Sequence, residues 1–255
     1  MRDSHAAKPI RRLDYQAPAF LVDEVSLDFD LYDELTRVHS RLLMRRNPAS
    51  GAATACVFDG EGLHIESLSI DGQQLAQDQY RYESNQLTLL AVPDQFVFEA
   101  VVTIKPHKNT AFEGLYLSNG MYCTQCEAEG FRRITFFPDR PDVLSRFTTT
   151  VRAEKARYPL LLSNGNPVAQ GEQGARHWVT WEDPFAKPSY LFALVAGDLA
   201  CLEDSFTTVS GRPVALRLYA EHHDLDKLDF AMDSLKRSMR WDEQVYGREY
   251  DLGIY

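Results

Sequence analysis

Over residues 25–31 the sequence VSLDFDL alternates apolar and polar side chains without a break. Strict alternation is the pattern of a strand with one buried and one solvated face, and it argues against a helix over the same residues. Val38, Ser40, Leu42 and Met44 form a second alternating set, predicted to pair with the first across a turn at residues 32–34. Gly51, Gly60 and Gly62 then break the chain around a short strand, TACVF. Residues 63–70 with their Asp71-Gly72 turn, 87–92 and 96–104 repeat the texture at turn-separated intervals. This spacing predicts a mainly β chain, a sandwich rather than a βαβ fold.

A chain of 255 residues buries roughly 70–75% of its extended surface, so no disulfide or metal is needed to hold a core. Its 37 acidic residues against 27 basic ones leave a net charge of −10. That balance is a poor match for a phosphate backbone, and no nucleic-acid partner is expected. It suits a soluble protein, or one that receives cationic groups. The first sixteen residues carry charges but no apolar run, so they are not read as a secretory signal. Residues 1–18 read as a loosely held arm. The longest apolar run, residues 190–197, falls well short of the ~20 residues that span a bilayer, and no membrane partner is expected. Cys56, Cys123, Cys126 and Cys201 are irregularly spaced and are expected to be reduced thiols in a cytoplasm.

After Pro106 the texture becomes polar and punctuated, with a turn at Ser118-Asn119-Gly120. Asp139-Arg140-Pro141 predicts the start of a short helix, with Asp as cap and Pro in the first turn. Residues 147–153, 160–162, 177–181 and 190–195 resume the β texture. Pro184 and Pro188 confine the segment around them to a loop or a sheet edge. A domain boundary is predicted at Gly197-Asp198, dividing the chain into residues 1–198 and 199–255. Beyond it, residues 206–209 and 214–219 predict a hairpin around Ser210-Gly211-Arg212-Pro213. A helix is predicted over residues 225–246, with Leu225, Leu228, Met232, Leu235, Met239 and Val245 near one face and Lys236, Arg237 and Arg240 outside it. Asp224 and Asp226 at its start suit the helix dipole. A further strand is predicted to begin at Asp251, so the C-terminal part reads as incomplete.

The richest chemistry lies in residues 123–146, CTQCEAEGFRRITFFPDRPDVLSR, where two thiols and the acids Glu127, Glu129 and Asp139 sit among aromatics and turn residues. Cys123 and Cys126 form a C-x-x-C. A structural zinc site needs four ligands, and no second such pair occurs. Thioredoxin-type chemistry needs the pair at a helix N-terminus within a βαβ unit. The thiols therefore read as scaffold. His222-His223 points its two rings apart and reads as a solvated helix start; no H-E-x-x-H occurs in the chain. These residues assemble no self-sufficient catalytic constellation. Glu127, beside Cys126 and near Phe131, reads as a partly desolvated carboxylate suited to a primary ammonium. At ~4 Å and an effective dielectric near 20 such a pair gains ~4 kcal/mol before desolvation is subtracted. The same acid also fits a plain surface acid, or a partner for Arg132 or Arg133.

The string CTQCEAEGFRRITFFPDRPDVLSRFTTTV resembles the N-terminal domain of the zinc-dependent aminopeptidase N family, in its bacterial alanyl aminopeptidase branch. The resemblance extends through NTAFEGLY, LSNGN and WEDPFAKPSYLFALVAGD and covers nearly the whole chain, weakest over residues 45–100. It implies a saddle-like β-sandwich N-terminal domain, then the beginning of a thermolysin-like α/β catalytic domain of the gluzincin type near Leu199. It implies release of N-terminal amino acids from peptides, with one zinc polarising the scissile carbonyl and activating water. Carried onto this sequence, Glu127 would bind the substrate's free α-amino group and Gln125 would line the pocket for the first side chain. The family's zinc-binding helix and third ligand would lie beyond Tyr255, so no catalytic or metal-binding residue is assigned within the chain. On its own the chain is expected to be inactive. The alternative is a non-catalytic β-sandwich binding module.

Overall fold

The computed structural model describes residues 11–51 and 54–255. Most of the expected N-terminal arm lies outside the described residues; what is described opens with a single 3₁₀ turn at Arg12–Asp14. The two alternating sets form strands β1 (Phe20–Leu31) and β2 (Thr36–Arg46). They pair antiparallel, with Phe29 opposite Val38, Leu27 opposite Ser40 and Val25 opposite Leu42. The alternation works as predicted: Val25, Leu27, Phe29, Leu31, Val38, Ser40, Leu42 and Met44 are all buried. Ser40 is tolerated there because its hydroxyl lies 2.8 Å from that of Thr135.

The chain continues through β3 (Cys56–Asp59), β4 (His64–Ile70), β5 (Gln73–Gln74), β6 (Tyr80–Glu83), β7 (Gln86–Leu89) and β8 (Gln95–Ile104). Asp71 and Gly72 both adopt positive φ, 51° and 77°, as a two-residue hairpin turn between β4 and β5 requires. Next come β9 (Gly114–Ser118), β10 (Met121–Gln125), β11 (Leu144–Glu154), β12 (Leu160–Ser163), β13 (Asn166–Gln173), β14 (Arg176–Pro188) and β15 (Leu194–Gly197).

Eight strands form the large sheet, in the order β13-β14-β11-β1-β2-β8-β4-β5. Its neighbours are antiparallel except β1 and β11, which run parallel. A four-stranded sheet, β12-β15-β10-β9, and a three-stranded one, β3-β7-β6, complete the β-sandwich. All three sheets contribute to one apolar cluster, which contains Phe29, Phe58, Phe98, Tyr122, Phe131, Phe137, Phe147 and Phe192. Each such side chain fully buried contributes about 1.5–3 kcal/mol.

Two predicted elements are corrected, and one is found as expected. Asp139-Arg140-Pro141 starts no helix; Pro141 and Asp142 form a turn that leads into β11. The Asp139 carboxylate is taken by Arg132 and Ser189 instead of capping a helix. Tyr190 belongs to a 3₁₀ turn, Ser189–Leu191, and the strand expected from residue 190 begins at Leu194. Pro184 and Pro188 lie within β14, in the part beyond Glu182 where β13 no longer pairs, which is a sheet edge.

After β15 a hairpin of β16 (Ala200–Thr207) and β17 (Pro213–Ala220) leads to a 3₁₀ segment, His222–Lys227, and then to α1 (Asp229–Tyr246). The helix therefore starts later than predicted. Leu225, Asp224 and Asp226 belong to the 3₁₀ segment, and Leu225 and Val245 are exposed. Met232 and Met239 are buried against Phe206, Val214 and Leu216, a cluster separate from the main core. Gly247 ends α1 with φ 61°, its N–H donating to the Glu243 carbonyl at 3.1 Å. The strand expected from Asp251 is a single parallel bridge between Ile254 and Ala215.

Candidate functional site

Strand β10 carries Gln125 to the end of the four-stranded sheet, opposite Gly114 of β9. It is fixed sideways by Thr124, whose hydroxyl accepts from the Leu194 N–H of β15 at 2.8 Å. Residues 126–130 then turn back sharply. The Gly130 N–H donates to the Cys126 carbonyl at 2.8 Å, and the Glu127–Ala128 peptide bond is cis. Gln125 and Glu127 are neighbours at this tip: the Gln125 side-chain amide donates to the Glu127 carbonyl oxygen at 3.1 Å. Both residues are exposed, whereas Cys126 between them is buried. The expectation of a partly desolvated Glu127 is therefore corrected for this chain.

An exposed tip is held still here by the residues just after the turn. Phe131 is fully buried, with its ring centroid 5.1 Å from that of Phe137, 5.3 Å from that of Phe192 and 6.0 Å from that of Phe147. Ile134, Phe136, Phe137 and Val143 are likewise fully buried. The segment is a loop anchored in the core by its own apolar side chains.

The two arginines beside Glu127 are engaged elsewhere. Arg132 Nε donates to Asp139 Oδ2 at 3.1 Å, and its guanidinium lies 3.5 Å from Glu129 and 3.9 Å from Asp59. Burial works against the charge of Arg132, but Asp139, Asp59 and Glu129 outweigh it and hold its pKa above the usual value. Arg133 pairs with Glu61 at 2.7 Å and with Glu113 at 3.2 Å. Among the described residues, the Glu127 carboxylate has no hydrogen bond and no ion pair. Glu127 is therefore not a partner for Arg132 or Arg133; its exposed, unpaired carboxylate is also what the plain surface-acid reading describes.

The burial of the thiols fits the scaffold reading. All four cysteines are free. Burial pushes Cys56 up to about 12 and raises Cys126, with the Asp139 charge adding to the latter. Cys123 is raised by burial as well. A protonated, buried thiol is a poor nucleophile and a poor metal ligand. His222 and His223 are exposed, His222 lying 3.0 Å from Asp198. Among the described residues no group of three or more His, Cys, Asp or Glu is placed to hold a metal ion. These residues do not fit a zinc, and no zinc-dependent step is assigned to them.

Two features at this tip escape sequence reasoning: the buried Asp139, whose sequence context is that of a helix cap, and the contact of Gly130 with Gly114 and Gln125. Only the crowding of Phe131, Ile134, Phe136 and Phe137 signals that the stretch is anchored.

The chain is 50% identical over 243 residues to an aminopeptidase N of Caulobacter vibrioides, covering 95% of this chain and 28% of that protein. It is 50% identical over 245 residues to aminopeptidase N of Escherichia coli, covering 96% of this chain and 28% of that protein. Among solved structures, aminopeptidase A of Legionella pneumophila, in complex with aspartic acid, superposes with a TM-score of 0.90 at 34% identity, over 95% of this chain and 29% of that one. The chain thus spans less than a third of the length of these relatives. Residues 27–191 match the peptidase M1 N-terminal domain, and the chain belongs to that family.

Proposed function

We propose that this chain is the N-terminal part of a zinc metalloaminopeptidase, in which Glu127 binds the substrate's free α-ammonium and Gln125 lines the pocket for its first side chain. The observation that carries this reading is the Glu127 carboxylate, exposed and without a partner while Arg132 and Arg133 beside it are engaged by other acids. A fixed carboxylate receives a cationic amine well, and placed at a set distance from the scissile bond it measures off one residue. That is what an enzyme of peptide catabolism acting on free N-termini requires. The names of the relatives support the same reading, as does the Legionella structure with aspartic acid, a molecule that carries an α-amino group. Zinc and water activation would be supplied by residues outside this chain, and the chain alone would hydrolyse nothing. We place the boundary between the peptide-receiving part and the start of the catalytic part at Gly197-Asp198, where the main apolar cluster gives way to the second. Four free thiols suit a cytoplasmic setting.

A second reading is favoured by the donor set of the described residues, which holds no metal-binding group: the chain is a β-sandwich binding module without catalysis. The test is to follow the open reading frame beyond Tyr255 and assay its full product on peptides. An H-E-x-x-H and release of N-terminal residues are expected. An intact product with neither leaves the binding module.

A further inference from the structure

One acid of the 123–146 stretch faces the interior, and its contacts lead back to the turn that carries Glu127. We propose that Asp139 is a positioning residue for Glu127; the proposal rests on the amine-anchor reading above. Glu127 stands in a short loop closed by the hydrogen bond from Gly130 to Cys126. Cys126 and Phe131, both buried, attach that loop to the core at its two ends. Apolar burial is non-directional, so it sets where the loop sits, and a directional contact is needed as well to fix how the carboxylate is presented.

Asp139, 3% exposed, supplies it. Its Oδ2 accepts from both the backbone N–H and the Nε of Arg132, each at 3.1 Å. Its Oδ1 accepts from the Ser189 hydroxyl at 2.6 Å, in the turn that precedes β15. Glu61 N–H donates to the Arg132 carbonyl at 2.8 Å, so the Arg132 backbone is held from both sides. The Arg132 guanidinium then reaches Glu129 at 3.5 Å, inside the loop itself. The Asp139 N–H is in turn held by Asp59 Oδ2 at 3.2 Å. Burying a carboxylate is costly unless it is paired and hydrogen-bonded, and here three donors, one of them cationic, meet that condition. Apolar side chains would fill the same space at no such cost. What the charged group adds is a fixed direction for the backbone at Arg132, where the turn ends, and with it for Glu127.

The test uses the full-length protein, with Asp139→Asn keeping the volume and removing the charge. Deuterium uptake over residues 126–133 is expected to rise. kcat/KM for peptides with a free amine is expected to fall by up to about 100-fold, more through KM than through kcat. The double variant Glu127→Ala/Asp139→Asn is expected to lose no more than Glu127→Ala alone, because positioning an absent anchor is worth nothing. Additive losses, or faster exchange with unchanged kinetics, overturn the proposal. Should Asp139→Asn impair folding, Ser189→Ala removes one hydrogen bond to the same carboxylate. It must shift exchange and KM in the same direction by less, and no shift in either also overturns the proposal. Glu127→Ala alone reads out the amine-anchor role, so failure of that reading is seen separately from failure of this one.

Discussion

A Cβ placed on Gly130 would stand 2.3 Å from the carbonyl oxygen of Gln125. The two backbones touch, and this contact is what lets the Glu127 turn fold back onto the end of β10. The same Cβ would lie 2.8 Å from the Gly114 nitrogen, so neither neighbour can yield by moving a side chain. Gly130→Ala is therefore expected to destabilise the fold by about 3 kcal/mol, the upper end of the overpacking range. Gly51→Ala, with nothing within 4 Å, is expected to stay within about 0.5 kcal/mol of the parent. Urea unfolding of the two variants measures the difference. Equal midpoints would contradict the backbone contact.

Phe131 is the plug of the candidate site, packed against Phe137, Phe147 and Phe192. Phe131→Ala should cost about 3–5 kcal/mol, the usual loss for a buried aromatic. Phe230, 76% exposed on α1, should cost within about 0.5 kcal/mol when changed to Ala. Thermal denaturation of both variants ranks them; a Phe131→Ala protein as stable as Phe230→Ala would remove the plug.

The thiol chemistry of the C-x-x-C is predicted to be silent. With Cys56 pushed up to about 12 and Cys123 and Cys126 raised by burial, their thiolate fractions at pH 8 fall below that of a free cysteine. Cys56 and Cys126 should resist alkylation in the native protein, while all four thiols react after unfolding. In the full-length protein Cys123→Ser/Cys126→Ser should leave peptidase activity largely intact. A large loss of activity without unfolding would restore a chemical role to the pair.

Lys187 lies 2.9 Å from Asp183 and 4.1 Å above the Phe147 ring, both side chains of the ion pair being about nine-tenths buried. Desolvation lowers the Lys187 pKa from 10.5, and Asp183 only partly opposes this. Between that lowered value and 10.5 the unfolded chain binds more protons than the folded one, so stability from this group rises with pH. The parent should gain stability relative to Lys187→Met as pH climbs towards 10.5, measured by urea unfolding at successive pH values. A difference that falls over the same range would reverse the sign. Lys187→Met itself leaves Asp183 buried without its cation and should cost about 3–5 kcal/mol at neutral pH.

The β architecture was legible because period-two alternation reports directly which face of a strand is buried. Residues 25–31 and the set from Val38 to Met44 needed nothing more. The parallel pairing of β1 with β11 was not legible, since Glu24 meets Arg146 only through the tertiary fold. Asp139 misled for a local reason: Asp before Arg-Pro is a helix-start pattern, but its carboxylate is occupied by Arg132 and Ser189. Helical period alone placed Leu225 and Val245 on the buried face of α1. The 3₁₀ segment His222–Lys227 shifts the helix start to Asp229, and only Met232 and Met239 are buried. Of the candidate site, Glu127 stands out from its own sequence neighbours, whereas Gln125 and the pairing of the two roles come from a family resemblance. Their contact, the engagement of both arginines and the crowding at Gly130 depend on neighbours far apart in the sequence.

The amine-anchor role of Glu127 is tested most directly by steady-state kinetics of Glu127→Ala in the full-length protein, on a peptide with a free N-terminus. The predicted result is a rise in KM and a fall in kcat/KM of about 100-fold, the loss expected when one partner of an engaged charge pair is removed. An unchanged kcat/KM would contradict the account, because that ratio reports transition-state stabilisation relative to free enzyme and substrate.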